Sequence, residues 1–288
     1  MWNCREFAFM LFAPKNNSLT FAVNCLSQSI MKTIIFFLAL SFSLTVSAQN
    51  LETVTYSIGN ESFTGYYAKP EKITPKTKTI LIVHEWWGLN EYPKARALQL
   101  AKEGNIAFCV DMYGTGKSAD NPKDAQALAM PLYQDPGMAS KRFMAAYDEA
   151  VKIQGVDKAK MAAIGYCFGG SMVLNAAKMG APLDAVVSFH GGLAGVPVDK
   201  NKLTASVLVC HGAADSFVPE KDITEFKKQM ADNREDLTFI NYADATHAFT
   251  NPAATENGKK FSIPIAYNAA ADLKSWKDFK KFLKKKVQ

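Results

Sequence analysis

The chain has 288 residues, 48% of them hydrophobic and 21% charged, with a formal net charge of +6. That balance is ordinary for a folded globular protein and excludes a disordered, collagenous or strongly basic nucleic-acid-binding chain. No Pro/Gly/Ser-rich linker or internal repeat divides it, so one domain is expected behind the N-terminal segment.

Residues 1–30 show no fold pattern and read as an upstream extension of the reading frame. From Met31 the logic changes: Lys32, an apolar run from Ile34 to Leu44, then Val46-Ser47-Ala48. A short cationic start, an apolar core and small residues before the cut are a signal peptide, so 31–48 is expected to be removed after Ala48. The run is too short for a transmembrane helix, which needs about 20 apolar residues. The mature chain, 49–288, is then exported, to the periplasm or the medium, with no stable membrane insertion. It keeps Cys109, Cys167 and Cys210, an odd count that leaves at least one thiol unpaired.

Glu52–Ile58 and Ser62–Lys69 alternate as half-buried strands around Gly59-Asn60, a hairpin signal. Unbroken apolar runs follow at Thr79–Val83, Ile106–Val110, Met161–Ile164, Ala185–Phe189, Val207–Cys210 and Leu237–Tyr242, as in strands buried on both faces. Helical patterns separate them at Tyr92–Glu103, Met138–Gln154, Gly169–Met179, Pro219–Ala231 and Ala266–Leu283. This alternation specifies an α/β fold, a mostly parallel sheet with helices on both faces and an antiparallel hairpin at its start. The C-terminal Lys280, Lys281, Lys284, Lys285 and Lys286, interleaved with Phe279, Phe282 and Leu283, read as the solvated face of the last helix rather than a nucleic-acid or membrane patch.

In such sheets ligands bind beyond the carboxyl ends of the strands, so the residues following each apolar run are the candidates. After Met161–Ile164 comes Gly165-Tyr166-Cys167-Phe168-Gly169, the G-x-S-x-G strand-to-helix turn with Cys for Ser. The turn exposes residue 167 at a helix N-terminus, where free amides and the helix dipole stabilise a thiolate. The alternative is a buried Cys in a Gly-rich turn. Asp215, beyond Val207–Cys210, either orients a catalytic His or caps the helix near Pro219. His247 alone among the four histidines follows Asp215, in the order nucleophile, acid, His. His84, His190 and His211 directly follow strands and are expected as structural hydrogen-bonding groups. Their spacing supports no metal site, and no cofactor is expected. The backbone N–H groups of Trp86 and Phe168 are placed to form an oxyanion hole. Glu85 would be costly to bury without a partner. The aromatics Trp87, Tyr113, Tyr166 and Phe249, near the strand ends, are assigned with Trp86 to an apolar substrate pocket.

Taken together, His84-Glu-Trp-Trp-Gly-Leu-Asn90, Gly165-Tyr-Cys-Phe-Gly-Gly170, His211-Gly-Ala-Ala-Asp215 and Thr246-His-Ala-Phe249 resemble the dienelactone hydrolase family of the α/β-hydrolase superfamily, over nearly all of residues 52–288. The resemblance implies an ester or lactone hydrolase with Cys167 as nucleophile, His247 as base and Asp215 as its orienting acid. It implies that Glu85 holds the Cys inactive until substrate arrives, and that the partner is a small ester or lactone rather than nucleic acid, with a monomer expected. The family's dienelactone-cleaving members carry an Arg after the D-x-Y turn and a Ser and Arg around the catalytic His. Here the turn is Asp111-Met-Tyr113-Gly114-Thr115-Gly116, with Lys117 next, and Ala248, Thr250 and Asn251 follow His247. A broad esterase or small peptidase and an inactive ligand-binding homologue are the competing readings.

Overall fold

The computed structural model describes residues 50–233 and 236–288. The expected extension at 1–30 and the expected leader at 31–48 lie outside the described residues. β1 (Glu52–Ile58) and β2 (Glu61–Ala68) form the expected hairpin, with Ile58 paired to Glu61 across a two-residue loop. Gly59 takes φ 59° there, the conformation a tight hairpin turn requires of its first residue. Six further strands follow: β3 (Thr79–Val83), β4 (Ile106–Val110), β5 (Met161–Tyr166), β6 (Ala185–Phe189), β7 (Ser206–Gly212) and β8 (Leu237–Tyr242).

They join one sheet in the order β1-β2-β4-β3-β5-β6-β7-β8. β1–β2 and β2–β4 are antiparallel and every later pair is parallel. Period-2 alternation divides each central strand between two cores. Leu81 and Val83 face one apolar layer, and Ile80 and Ile82 the other. This two-sided burial is the reason β3–β7 read as continuous apolar runs.

The expected helices form as α1 (Glu91–Lys102), α3 (Pro136–Ala150), α4 (Phe168–Lys178), α5 (Glu220–Asp232) and α7 (Ala269–Lys286). Two others escape the sequence reading: α2 (Pro122–Gln134) and α6 (Ala254–Phe261). α2 is rich in alanine, which blurs apolar periodicity, and contains Pro131, ordinarily a helix breaker. Its start was nonetheless written locally, since Asn121 accepts from the Asp124 N–H at 3.0 Å with Pro122 beside it at the first turn.

α3, α4 and α5 cover one face of the sheet through Phe143, Met172 and Phe226, while α1 and α7 cover the other through Leu100, Trp276 and Phe279. The lysines ending α7 lie outside that face, its buried side being Trp276, Phe279, Phe282 and Leu283. No described helix is long and apolar enough to cross a membrane. Cys109 and Cys210 are fully buried core thiols, as expected from their strands.

Candidate active site

α4 starts immediately after β5, and the glycines around Cys167 make that junction sterically feasible. A Cβ on Gly165 would come within 2.0 Å of the Gly169 carbonyl oxygen, and one on Gly169 within 2.3 Å of that of Val83. With hydrogen at both positions the helix settles directly onto the strand ends. Cys167 itself takes φ 53° and ψ −116°, a region that costs a non-glycine residue on the order of 1–3 kcal/mol and recurs at functional sites. Its backbone N–H donates to Phe189 O at 3.0 Å and to His190 Nδ1 at 3.1 Å, which holds the strained turn.

From the far edge of the sheet, the loop after β7 brings Asp215 and the loop after β8 brings His247. His247 Nδ1–H donates to Asp215 Oδ2 at 2.8 Å, and the ring lines the same cavity as Cys167. Asp215 Oδ1 accepts from the Phe217 N–H at 2.9 Å, so both carboxylate oxygens are fixed. The alternative for Asp215, a cap on α5, does not occur: that helix begins after Pro219 with no side-chain cap. Burial alone would lower the His247 imidazole. The facing Cys167 sulfur and Asp215 outweigh it and lift the imidazole to about 10.

The loop from His84 to Asn90 forms the opposite wall. His84 Nδ1–H donates to Glu85 O at 2.6 Å while its Nε2 accepts from the Met112 N–H at 3.3 Å. Tyr113 Oη–H donates to Trp86 O at 3.0 Å. These bonds fix the orientation of the Trp86 peptide. Among the described residues neither the Trp86 nor the Phe168 N–H donates to a protein acceptor, as two oxyanion-hole donors would require.

A cavity of about 230 Å³ opens between the walls, lined by Glu85, Trp86, Trp87, Cys167 and His247 together with apolar side chains. The expected Trp87 is present, but three other assignments need correction. Tyr113, Tyr166 and Phe249 are buried in the core, and none borders the cavity. β5 runs to Tyr166 rather than ending at Ile164, so Tyr166 shares the face of Ile164 and stacks on Phe189 at 4.9 Å, pointing away from Cys167. Phe249 belongs to the same layer, against Tyr242. Tyr113 supports the Trp86 peptide from behind.

The sequence reading missed Tyr133, Phe217, Ile263 and Ile265, which do line the cavity. Phe217, two residues after Asp215, meets the His247 ring edge-on at 5.0 Å. Tyr133 lies in the last turn of the unforeseen α2 and meets the Phe168 ring edge-on at 5.5 Å. Ile265 arrives through a bridge to His247 from the segment after α6. Only Phe217 had a signal, its adjacency to Asp215.

Of the remaining histidines, His84 and His190 are structural hydrogen-bonding groups, His190 being held neutral mainly by burial with His247 alongside. His211 Nδ1 has no partner. No group of three His, Cys, Asp or Glu among the described residues is arranged to hold a metal ion.

Glu85 is 3% exposed. The resemblance pairs it with the cysteine, but here its Oε2 accepts from Asn251 Nδ2–H at 2.5 Å and its Oε1 has no partner. Burial pushes its carboxyl up to about 7, against the Asn251 hydrogen bond and the positive charges of His247 and Arg96. In the unfolded chain the group titrates near 4.3. A pKa raised by folding contributes stability below the unfolded value that is lost as pH rises through the folded one. Unfolding free energy should therefore fall by about 3 kcal/mol between about pH 5 and pH 8 on account of this group. In urea titrations Glu85→Gln should match the parent near pH 5 and exceed it near pH 8. Identical pH profiles for the two proteins would contradict this.

Comparison with known proteins places these features in context. The model of the dienelactone hydrolase family matches residues 63–287. A protein of Aquifex aeolicus (strain VF5), provisionally named carboxymethylenebutenolidase, is 30% identical over 193 residues, which are 65% of this chain and 81% of that protein. The solved structure named m3DLH is 31% identical with a TM-score of 0.79, covering 84% of this chain and 100% of its own. A dienelactone hydrolase-like promiscuous phosphotriesterase from metagenomic libraries is also 31% identical, with a TM-score of 0.77 and the same coverage.

Proposed function

This chain belongs to the dienelactone hydrolase family and is a hydrolase of ester or lactone bonds; from that premise we propose that it works through a Cys167–His247–Asp215 triad and an acyl-thioenzyme. The observation that carries this reading is Cys167 in a strained turn, lining one cavity with a His247 that Asp215 fixes at 2.8 Å. The Cys167 thiol passes its proton to His247 as the sulfur attacks the substrate carbonyl carbon, and the carbonyl π electrons move to its oxygen, which the Trp86 and Phe168 amides receive. As the tetrahedral intermediate collapses, His247 gives its proton to the leaving oxygen and a thioester remains. His247 then takes a proton from water, whose oxygen attacks the thioester and releases the acid and the thiolate.

Thiolate leaves more readily than alkoxide, so the first intermediate of a plain alkyl ester returns to substrate. The substrates are therefore activated: enol lactones, aryl esters or thioesters. Phenyl acetate should be hydrolysed at least about 100-fold faster than ethyl acetate in kcat/KM, a difference of about 2.7 kcal/mol in barrier. Equal rates would overturn the acyl-thioenzyme. The leader at 31–48 adds that the enzyme acts outside the cytoplasm, for which a native N-terminus at Gln49 is the test.

A further inference from the structure

Buried polar atoms are nearly always hydrogen-bonded, and one that is not calls for a physical reason. Glu85, which lines the cavity, carries such an atom. Asn251 takes Oε2 at 2.5 Å and so fixes the carboxyl plane, while Oε1 is buried without a partner. The cavity it borders contains Cys167 and His247, and its other lining is largely aromatic and aliphatic, with no Lys or Arg.

The charged groups around Glu85 are already committed, and the hydroxyl of neighbouring Tyr166 is, like Oε1, buried without a partner. His247 is paired with Asp215. Arg96, from α1, donates to Tyr92 Oη, to Gln99 Oε1, to Thr250 O and to Asp272. Tyr92 donates to Thr250, and Tyr166 stacks in the core. None of them satisfies Oε1, and none is a free cation that could receive an anionic substrate.

Resting on the hydrolase reading above, we propose that Glu85 is a specificity-determining residue whose free oxygen accepts a hydrogen bond from a hydroxyl or ammonium group of the substrate and excludes carboxylate-bearing esters. A bound donor would satisfy a buried oxygen that otherwise carries its full desolvation cost. A substrate carboxylate would meet a like charge in a cavity whose lining carries no Lys or Arg and whose imidazole, His247, is already paired with Asp215, where screening by water is weak.

The test uses p-nitrophenyl benzoates with a methyl, hydroxymethyl, aminomethyl or carboxylate group at the 3-position, assayed at pH 8 with the parent enzyme and Glu85→Gln. In the parent, kcat/KM for the carboxylate should lie about 30-fold below that for the methyl compound. The hydroxymethyl and aminomethyl compounds should exceed it by about 10-fold, mostly in KM. Glu85→Gln should bring the carboxylate within about 3-fold of the methyl compound and remove the aminomethyl advantage. A carboxylate as good as methyl in the parent, or an unchanged ranking in Glu85→Gln, would overturn the proposal. If the variant does not fold, the parent ranking decides alone.

The matching benzamides, scored by protection of Cys167 from iodoacetamide, report the same ranking through binding. No Cys167-dependent turnover of any ester, with that binding ranking intact, would refute the hydrolase mechanism and leave this inference standing. A flat binding ranking beside active turnover would do the reverse.

Discussion

Cys167→Ala lowers kcat/KM for an activated ester by roughly 10⁴-fold or more and leaves a folded protein. The size follows from what the side chain supplies. Among the described residues no other thiol and no Ser, Thr or Lys lines the cavity, and members of a triad act as a unit, so losing one costs nearly what losing all would cost. Folding should tolerate the change because the turn is held by the residue 167 backbone N–H, which donates to Phe189 O and His190 Nδ1 and which alanine keeps. Circular dichroism and urea titration check the fold. Residual activity within about 10-fold of the parent would mean that catalysis proceeds without the thiol.

The largest expected loss of stability lies away from the cavity, at the ion pair between α1 and α7. Arg96 Nη2 meets Asp272 Oδ1 at 2.5 Å, with side-chain exposures of 11% and 15%. Asp272→Ala leaves the guanidinium in the interior with a cost of about 3–5 kcal/mol, a fall in Tm of roughly 10 °C. Thermal unfolding followed by circular dichroism measures it. The exposed Lys228–Asp232 pair is the internal control, and Asp232→Ala should leave Tm unchanged. A Tm within about 2 °C of the parent for Asp272→Ala would show that the buried pair does not support the docking of α7 on α1.

The same pair reaches the turn through a chain of bonds. Arg96 and Tyr92 hold Thr250, Thr250 Oγ1 meets His190 Nε2 at 2.7 Å, and His190 Nδ1 accepts from the Cys167 N–H. That chain fixes the tautomer of His190, since a nitrogen accepting from an amide leaves the proton on the other. Asp272→Ala should accordingly lower kcat as well as Tm.

The strand framework was legible because strands buried on both faces have no solvent side to interrupt their apolar runs, and the hairpin because Gly59 must take a positive φ. The candidate triad was legible from chain order alone: three weak signals, each just after a strand, meet in space because the carboxyl ends of parallel strands share one edge.

The pocket was far less legible. Tyr166 looked like a pocket residue because it adjoins Cys167, yet adjacency in a strand sends neighbouring side chains to opposite faces, and Ile164 had already shown which face position 166 would take. Tyr133 comes from a helix that alanine and Pro131 concealed, and Ile263 and Ile265 from a segment that reaches the cavity through long-range contacts such as the bridge to His247. The Asn251 contact to Glu85 spans 166 residues of sequence, and no local pattern encodes it.

The central claim is that Cys167 carries the acyl group. Mixing the enzyme with p-nitrophenyl acetate, quenching in acid within one turnover and weighing the intact protein tests it directly. The account predicts one acetyl group on the chain, located at Cys167, released by neutral hydroxylamine as a thioester must be, and absent from Cys167→Ala. Rapid p-nitrophenol release with no acetyl on Cys167 at any quench time would contradict it.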